Sequence, residues 1–185
     1  MSTPQLSPEQ VTQVSDLVAG YITDQREKAL PYAVLLSPEQ RASLDGFFLP
    51  QVLDTRLLVL GETRVENPAF YPMLRQMGFT NLPNFTTMAT VTFCDVVVSH
   101  QPFSDGLLFH ELVHVEQYRR LGIQRFSELY VRGFLGGGWY NDIPLEINAY
   151  GLGGRFEMSP QTRFSVADEV GAWVRDGQVL IRPSV

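Results

Sequence analysis

Apolar residues recur at helical spacing early in the chain, directly after Ser7-Pro8-Glu9-Gln10. Val11, Val14, Leu17, Val18, Tyr21 and Ile22 fit a 3.6-residue period, which predicts a helix to about Leu30, stopped by Pro31. Ser7 suits the N-cap, Pro8 the first helical position, and Gln10 completes a capping box. Ser37-Pro38-Glu39-Gln40 repeats that start signal, but the residues after it do not match, so a cap is reused without duplication. The run from Thr55 to Leu60, closed by Gly61, reads as a short strand. A helical turn is expected from Ala69 to Met77, ended by Gly78. Phe85 to His100 is the most β-like stretch, with Thr86, Thr87, Thr90 to Phe93 and Val96 to Val98, and a turn or bulge at Cys94-Asp95.

A long apolar helix follows, capped by Ser104 or Asp105 and stopped at Gly122. A second helix is expected from Ile123 to Leu135, with Phe126, Leu129, Tyr130 and Phe134 along one core-facing stripe. Gly136-Gly137-Gly138 breaks the pattern, as a lid or as a loop that needs positive φ. Another helix starts near Asn141 or Asp142, with Pro144 in its first turn, and continues to about Phe156. A short helix from Val166 to Val174, a turn at Asp176-Gly177 and a strand from Gln178 to Arg182 end the reading. No linker divides the chain, so one domain is expected over 1–185, with a helical portion at 1–60 and its chemical core at 85–157. The class is α+β, predominantly helical, with a small β-sheet before the long helix.

That helix carries His110-Glu111-Leu112-Val113-His114, an HExxH motif. At ~100° per residue, His110 and His114 lie ~40° apart and Glu111 falls ~60° beyond His114. Two nitrogen ligands and one carboxylate thus share a patch, the arrangement that holds Zn²⁺ and deprotonates water. Leu107, Leu108, Phe109, Leu112, Val113 and Val115 surround them. Burying imidazoles and a carboxylate among such neighbours is costly unless they pair or bind metal. Gln117, ~20° from His110, is expected to hydrogen-bond within the core and support the site without touching metal.

A catalytic zinc site needs a third protein ligand and one open position. Glu116 sits ~240° around the helix from His110 and faces away. Glu128, Asp142, Glu157 and His100 are weaker candidates than Glu146. Glu146 lies in Ile143-Pro144-Leu145-Glu146-Ile147, an apolar helix start where a lone carboxylate is hard to bury unless it binds something. Its alternative is an early-turn carboxylate favoured by the helix dipole. Tyr150, Tyr140 and His100 are the candidates for stabilising an oxyanion. The strand before the motif helix is either an ordinary core strand or an edge on which an extended peptide pairs.

His110-Glu111-Leu112-Val113-His114 with Glu146 on a later helix resembles the gluzincin zinc metallopeptidases, and more closely small bacterial HExxH domains of that type. The resemblance spans about Val91 to Phe156. It implies a zincin-like fold, with His110, His114 and Glu146 as zinc ligands and Glu111 as general base in peptide hydrolysis. Many gluzincins place an Asp one turn after the glutamate ligand, where this chain has Tyr150. A second expectation, from another class, is a zinc-binding module that turns over no substrate.

Charge narrows the partners. The balance is 14 basic against 20 acidic residues, net −6, with no basic cluster, so no nucleic-acid partner is expected. A peptide or protein is the expected substrate. Cys94 is the sole cysteine, which excludes an intramolecular disulfide and a Cys-rich zinc site. It reads as a buried structural thiol. No apolar stretch approaches ~20 residues, so no membrane span is expected. The first residues lack the pattern of a secretory signal, and a cytoplasmic location follows as the default.

Overall fold

Both capping boxes form. In the computed structural model, which describes residues 6–135 and 143–176, Ser7 Oγ accepts from the Gln10 amide while Gln10 Oε1 accepts from the Ser7 amide. Helix α1 (Pro8–Ala29) follows, burying Val11, Val14, Val18 and Ile22, and a single 3-10 turn at Leu30–Tyr32 ends it at Pro31. Ser37 and Gln40 make the same reciprocal pair ahead of α2 (Pro38–Leu44). Two short elements that the sequence pattern did not signal, β1 (Val34–Leu35) and α3 (Pro50–Leu53), flank α2.

The expected strand near Thr55 is β2 (Arg56–Val59), and the helical turn is α4 (Tyr71–Gln76), closed by Gly78 at φ 94°. Within the β-like stretch, Phe85–Thr87 is a 3-10 turn, not strand, because the Asn84 side chain accepts from the Thr86 amide and bends the chain. The remainder is a hairpin of β3 (Thr90–Phe93) and β4 (Val96–Ser99). Cys94 sits in the expected turn with φ 59°, and its thiol is half-buried where full burial was expected. Arg26 of α1 grips Asp95 beside it through a two-pronged ion pair.

The sheet order is β1-β2-β4-β3, with β2 parallel to β4 and the other pairs antiparallel. β3 is therefore an edge strand. Phe93 pairs with Val96, and the His100 amide bonds Ala89. In that alternation the backbone groups of Thr90 point away from β4.

Helix α5 (Asp105–Leu135) is two helical arms joined at Gly122, whose φ 72° and ψ 161° are not helical. Ser104 caps it, its Oγ accepting from the Leu107 amide at 3.2 Å. α6 (Pro144–Met158) has Ile143 at its N-cap, and α7 (Val166–Arg175) is the last described helix. The expected lid at Gly136–Gly138, the helix start at Asn141 or Asp142, and the strand from Gln178 to Arg182 lie outside the described residues. The class is α+β, helices dominating, with the small four-stranded sheet ahead of the motif helix.

Phe109 and Phe156 fix α5 against α6, their rings stacked at 4.4 Å, with Phe47 standing edge-on to both at 5.4 and 5.3 Å. Such pairs add about 0.5–1.5 kcal/mol each beyond area burial. This cluster adjoins His110 in sequence, so it sets the register in which the motif helix meets the helix bearing Glu146. No helix among the described residues is long and apolar enough to cross a membrane.

Candidate metal centre

His110 and His114 lie one turn apart on α5, and their rings meet edge to face. The two Nε2 atoms are 3.1 Å apart. Glu146 Oε2 lies 3.4 Å from His110 Nε2 and 3.5 Å from His114 Nε2. These are the separations a tetrahedral zinc site needs. Bonds of about 2.0–2.1 Å at tetrahedral angles place neighbouring ligand atoms about 3.3–3.4 Å apart. The donor set of two imidazoles and one carboxylate fits the same ion. His114 and Glu146 are buried and His110 is nearly so. Among the described residues this is the one group of three or more potential ligands so gathered.

Gln117 sets the orientation of His114. Its Nε2 donates to Leu145 O at 3.0 Å and to Asn148 Oδ1 at 2.9 Å, so its carbonyl end must face the ring. Oε1 then accepts from His114 Nδ1 at 2.8 Å. A neutral His114 therefore carries its hydrogen on Nδ1 and presents the Nε2 lone pair to the cluster. The same carboxamide binds the first turn of α6, tying one ligand helix to the other.

Glu111 is 5% exposed. Thr92 Oγ1, reaching across from β3, donates to its Oε2 at 2.6 Å. Burial pushes the Glu111 carboxyl above its ordinary range, against the pull of His114 and His110. Thr92 thus fixes one carboxylate oxygen of Glu111. Tyr150, one turn beyond Glu146, lies with its ring centroid 4.5 Å from that of His110 and is half exposed to the cleft. Burial raises its phenol pKa, with Glu146 and Glu111 adding.

The other candidates lie elsewhere. Glu116 faces away and is buried against Arg119 and Arg120. Glu128 pairs with Arg125 and Arg132 on the second arm of α5. Glu157 is exposed beside Gly106, on the wall of the cleft but outside the ligand group. His100 is not turned toward the cluster: one ring nitrogen accepts from the Val65 amide at 3.1 Å and the other contacts Met88 O. It clamps two loops together, which removes it as an oxyanion donor. Tyr140 and Asp142 lie outside the described residues.

Two hollows meet at the centre. An open cleft of about 440 Å³ runs past His110, Tyr150, Gly153 and Gly154. A narrower apolar pocket of about 60 Å³ extends the other way along β3. Thr90, Glu111 and Glu146 line both. Thr92 was missed from sequence, since its role depends on strand order and register, which local pattern does not encode.

Compared with family models, curated proteins and solved structures, the chain finds no match.

Proposed function

We propose that the protein is a zinc-dependent hydrolase of peptide bonds, of the gluzincin kind in its ligand set. The observation that carries the reading is the His110, His114 and Glu146 triangle, with edges of 3.1, 3.4 and 3.5 Å. A buried carboxylate beside two imidazoles is what a structural core avoids and a metal centre requires. His110 Nε2, His114 Nε2 and Glu146 Oε2 would hold the ion. Zinc so held supplies Lewis acidity, which acidifies water and polarises a carbonyl.

Glu111 does the proton work. Held at Oε2 by Thr92, it takes the proton of the attacking water at Oε1 and returns it to the departing amine. Tyr150 stands at the cleft side of His110, where its hydroxyl can donate to the oxygen that gains charge. An extended peptide suits the cleft, with the outward backbone groups of Thr90 available for pairing.

Glu111→Gln tests the reading, because it removes the base and keeps the shape. Zinc binding should persist while peptide hydrolysis falls by about 10²–10⁴-fold. Hydrolysis at the wild-type rate by Glu111→Gln would remove Glu111 from its role and the mechanism with it.

A further inference from the structure

His100 takes no part in the chemistry above, yet it joins three stretches of chain. Its Nε2 accepts from the Val65 amide at 3.1 Å, and its Nδ1 donates to Met88 O. The roles cannot be exchanged, because an amide N–H only donates and a carbonyl only accepts. The His100 amide itself donates to Ala89 O at 2.8 Å, next to the Thr90–Ser99 pair of the hairpin. The loop that carries Val65 is pinned at its next two residues as well. Glu66 O accepts from Tyr21 Oη at 2.6 Å, and Asn67 Oδ1 accepts from the Phe85 amide at 2.8 Å. The segment from Phe85 to Ala89 is thus tied at one end by Asn67 and at the other by His100.

Met88 and Ala89 line the open cleft beside Thr90, in the hollow that also holds His110, Glu111 and Glu146. We infer that His100 is a positioning residue: by holding Met88 O it fixes the rim of the cleft against which substrate backbone pairs at Thr90. This rests on the hydrolase reading and adds the residue that sets its substrate-binding edge. Met88 falls between the 3-10 turn at Phe85–Thr87 and β3 and belongs to neither. A bond from a fixed ring orders it before substrate arrives, so binding does not have to. The ring has a firm base, since His100 directly follows β4, which is buried along its length between β2 and β3. The effect falls on binding and not on the chemical step, because His100 lines neither hollow at the centre.

The two ring bonds can be separated. Asparagine carries its amide nitrogen where Nδ1 stands and keeps the donor to Met88. Glutamine carries its amide oxygen where Nε2 stands and keeps the acceptor for Val65. The full zinc-loaded chain and these variants are assayed on dye-quenched β-casein, an unstructured protein, with zinc content and thermal unfolding measured beside the kinetics. His100→Gln should raise KM by about three- to tenfold, the worth of one hydrogen bond, with kcat and zinc content unchanged. His100→Asn should keep the wild-type KM and kcat while its unfolding temperature falls, because the Val65 amide loses its acceptor. Ala89→Gly, which frees the backbone of the same rim with the ring intact, should raise KM in the same sense. An unchanged KM in His100→Gln, an equal rise in His100→Asn, or a loss of kcat or zinc in place of KM would overturn the positioning role and leave the hydrolase reading standing. Failure of the zinc-loaded wild type to cut casein would overturn the hydrolase reading, and the positioning role with it.

Discussion

Gln117 and His114 are joined by a 2.8 Å hydrogen bond from the imidazole Nδ1 to the carboxamide Oε1. With its amide nitrogen spent on Leu145 and Asn148, Gln117 can offer the ring nothing but an acceptor. Gln117→Leu removes that acceptor and frees the ring to turn. Zinc affinity should fall by about 10–100-fold, the usual cost of losing such a supporting bond, in a chain that still folds. Competition with a chromophoric chelator measures it, and an unchanged affinity would show that ring orientation is set by packing alone.

Thr92 plays the matching part for Glu111. Thr92→Val keeps the shape and deletes the 2.6 Å hydrogen bond. Zinc content should stay at the wild-type level while kcat drops about tenfold or more, as expected for a hydrogen bond to a charged group. A drop in zinc content instead would mean that Thr92 supports the ligands and not the base.

Zinc binding should depend on pH in a defined direction. Burial disfavours a charged imidazole at His114, but Glu146 beside it, helped by Glu111 and Gln117, raises its pKa to about 9. The folded value lies above the ordinary 6.5, so the metal-free ring holds its extra proton at neutral pH. That proton stabilises the metal-free fold fully below about 6.5, and the contribution is lost as pH rises through about 9. Zinc has to displace it, so affinity should rise by about tenfold per pH unit between about pH 6 and 8. Calorimetry in buffers of different ionisation enthalpy counts the protons released. A flat profile would show that His114 is already neutral.

Two glycines should respond in opposite senses. An added Cβ at either Gly20 or Gly122 meets open space, so sterics with neighbours do not decide. Gly20 is inside α1, where alanine should stabilise by about 0.5–1 kcal/mol. Gly122 holds φ 72° and ψ 161°, a region closed to side chains, so Gly122→Ala should cost about 1–3 kcal/mol. Thermal or denaturant unfolding reads both. A neutral Gly122→Ala would show that the joint between the arms of α5 is free to reshape.

What the sequence disclosed follows from how local each signal is. The capping boxes at Ser7 and Ser37, the stop at Gly122 and the spacing of His110 and His114 are all settled within one or two helical turns. Glu146 was legible for a different reason: a carboxylate in an apolar helix start has to find a partner. The role of Thr92 and the clamp at His100 were not legible. Each depends on residues brought together by the sheet order β1-β2-β4-β3, which no short-range pattern specifies. Asn84 turned Phe85–Thr87 away from strand by a side-chain bond that overrode β propensity.

The most direct test is the zinc content of the purified chain after equilibration with zinc and dialysis, read by elemental analysis beside Glu146→Ala and His110→Ala. About one ion per wild-type chain is expected, with strong depletion in both variants. A wild-type chain that retains no zinc, or a Glu146→Ala chain that holds it as firmly, would contradict the three-residue centre.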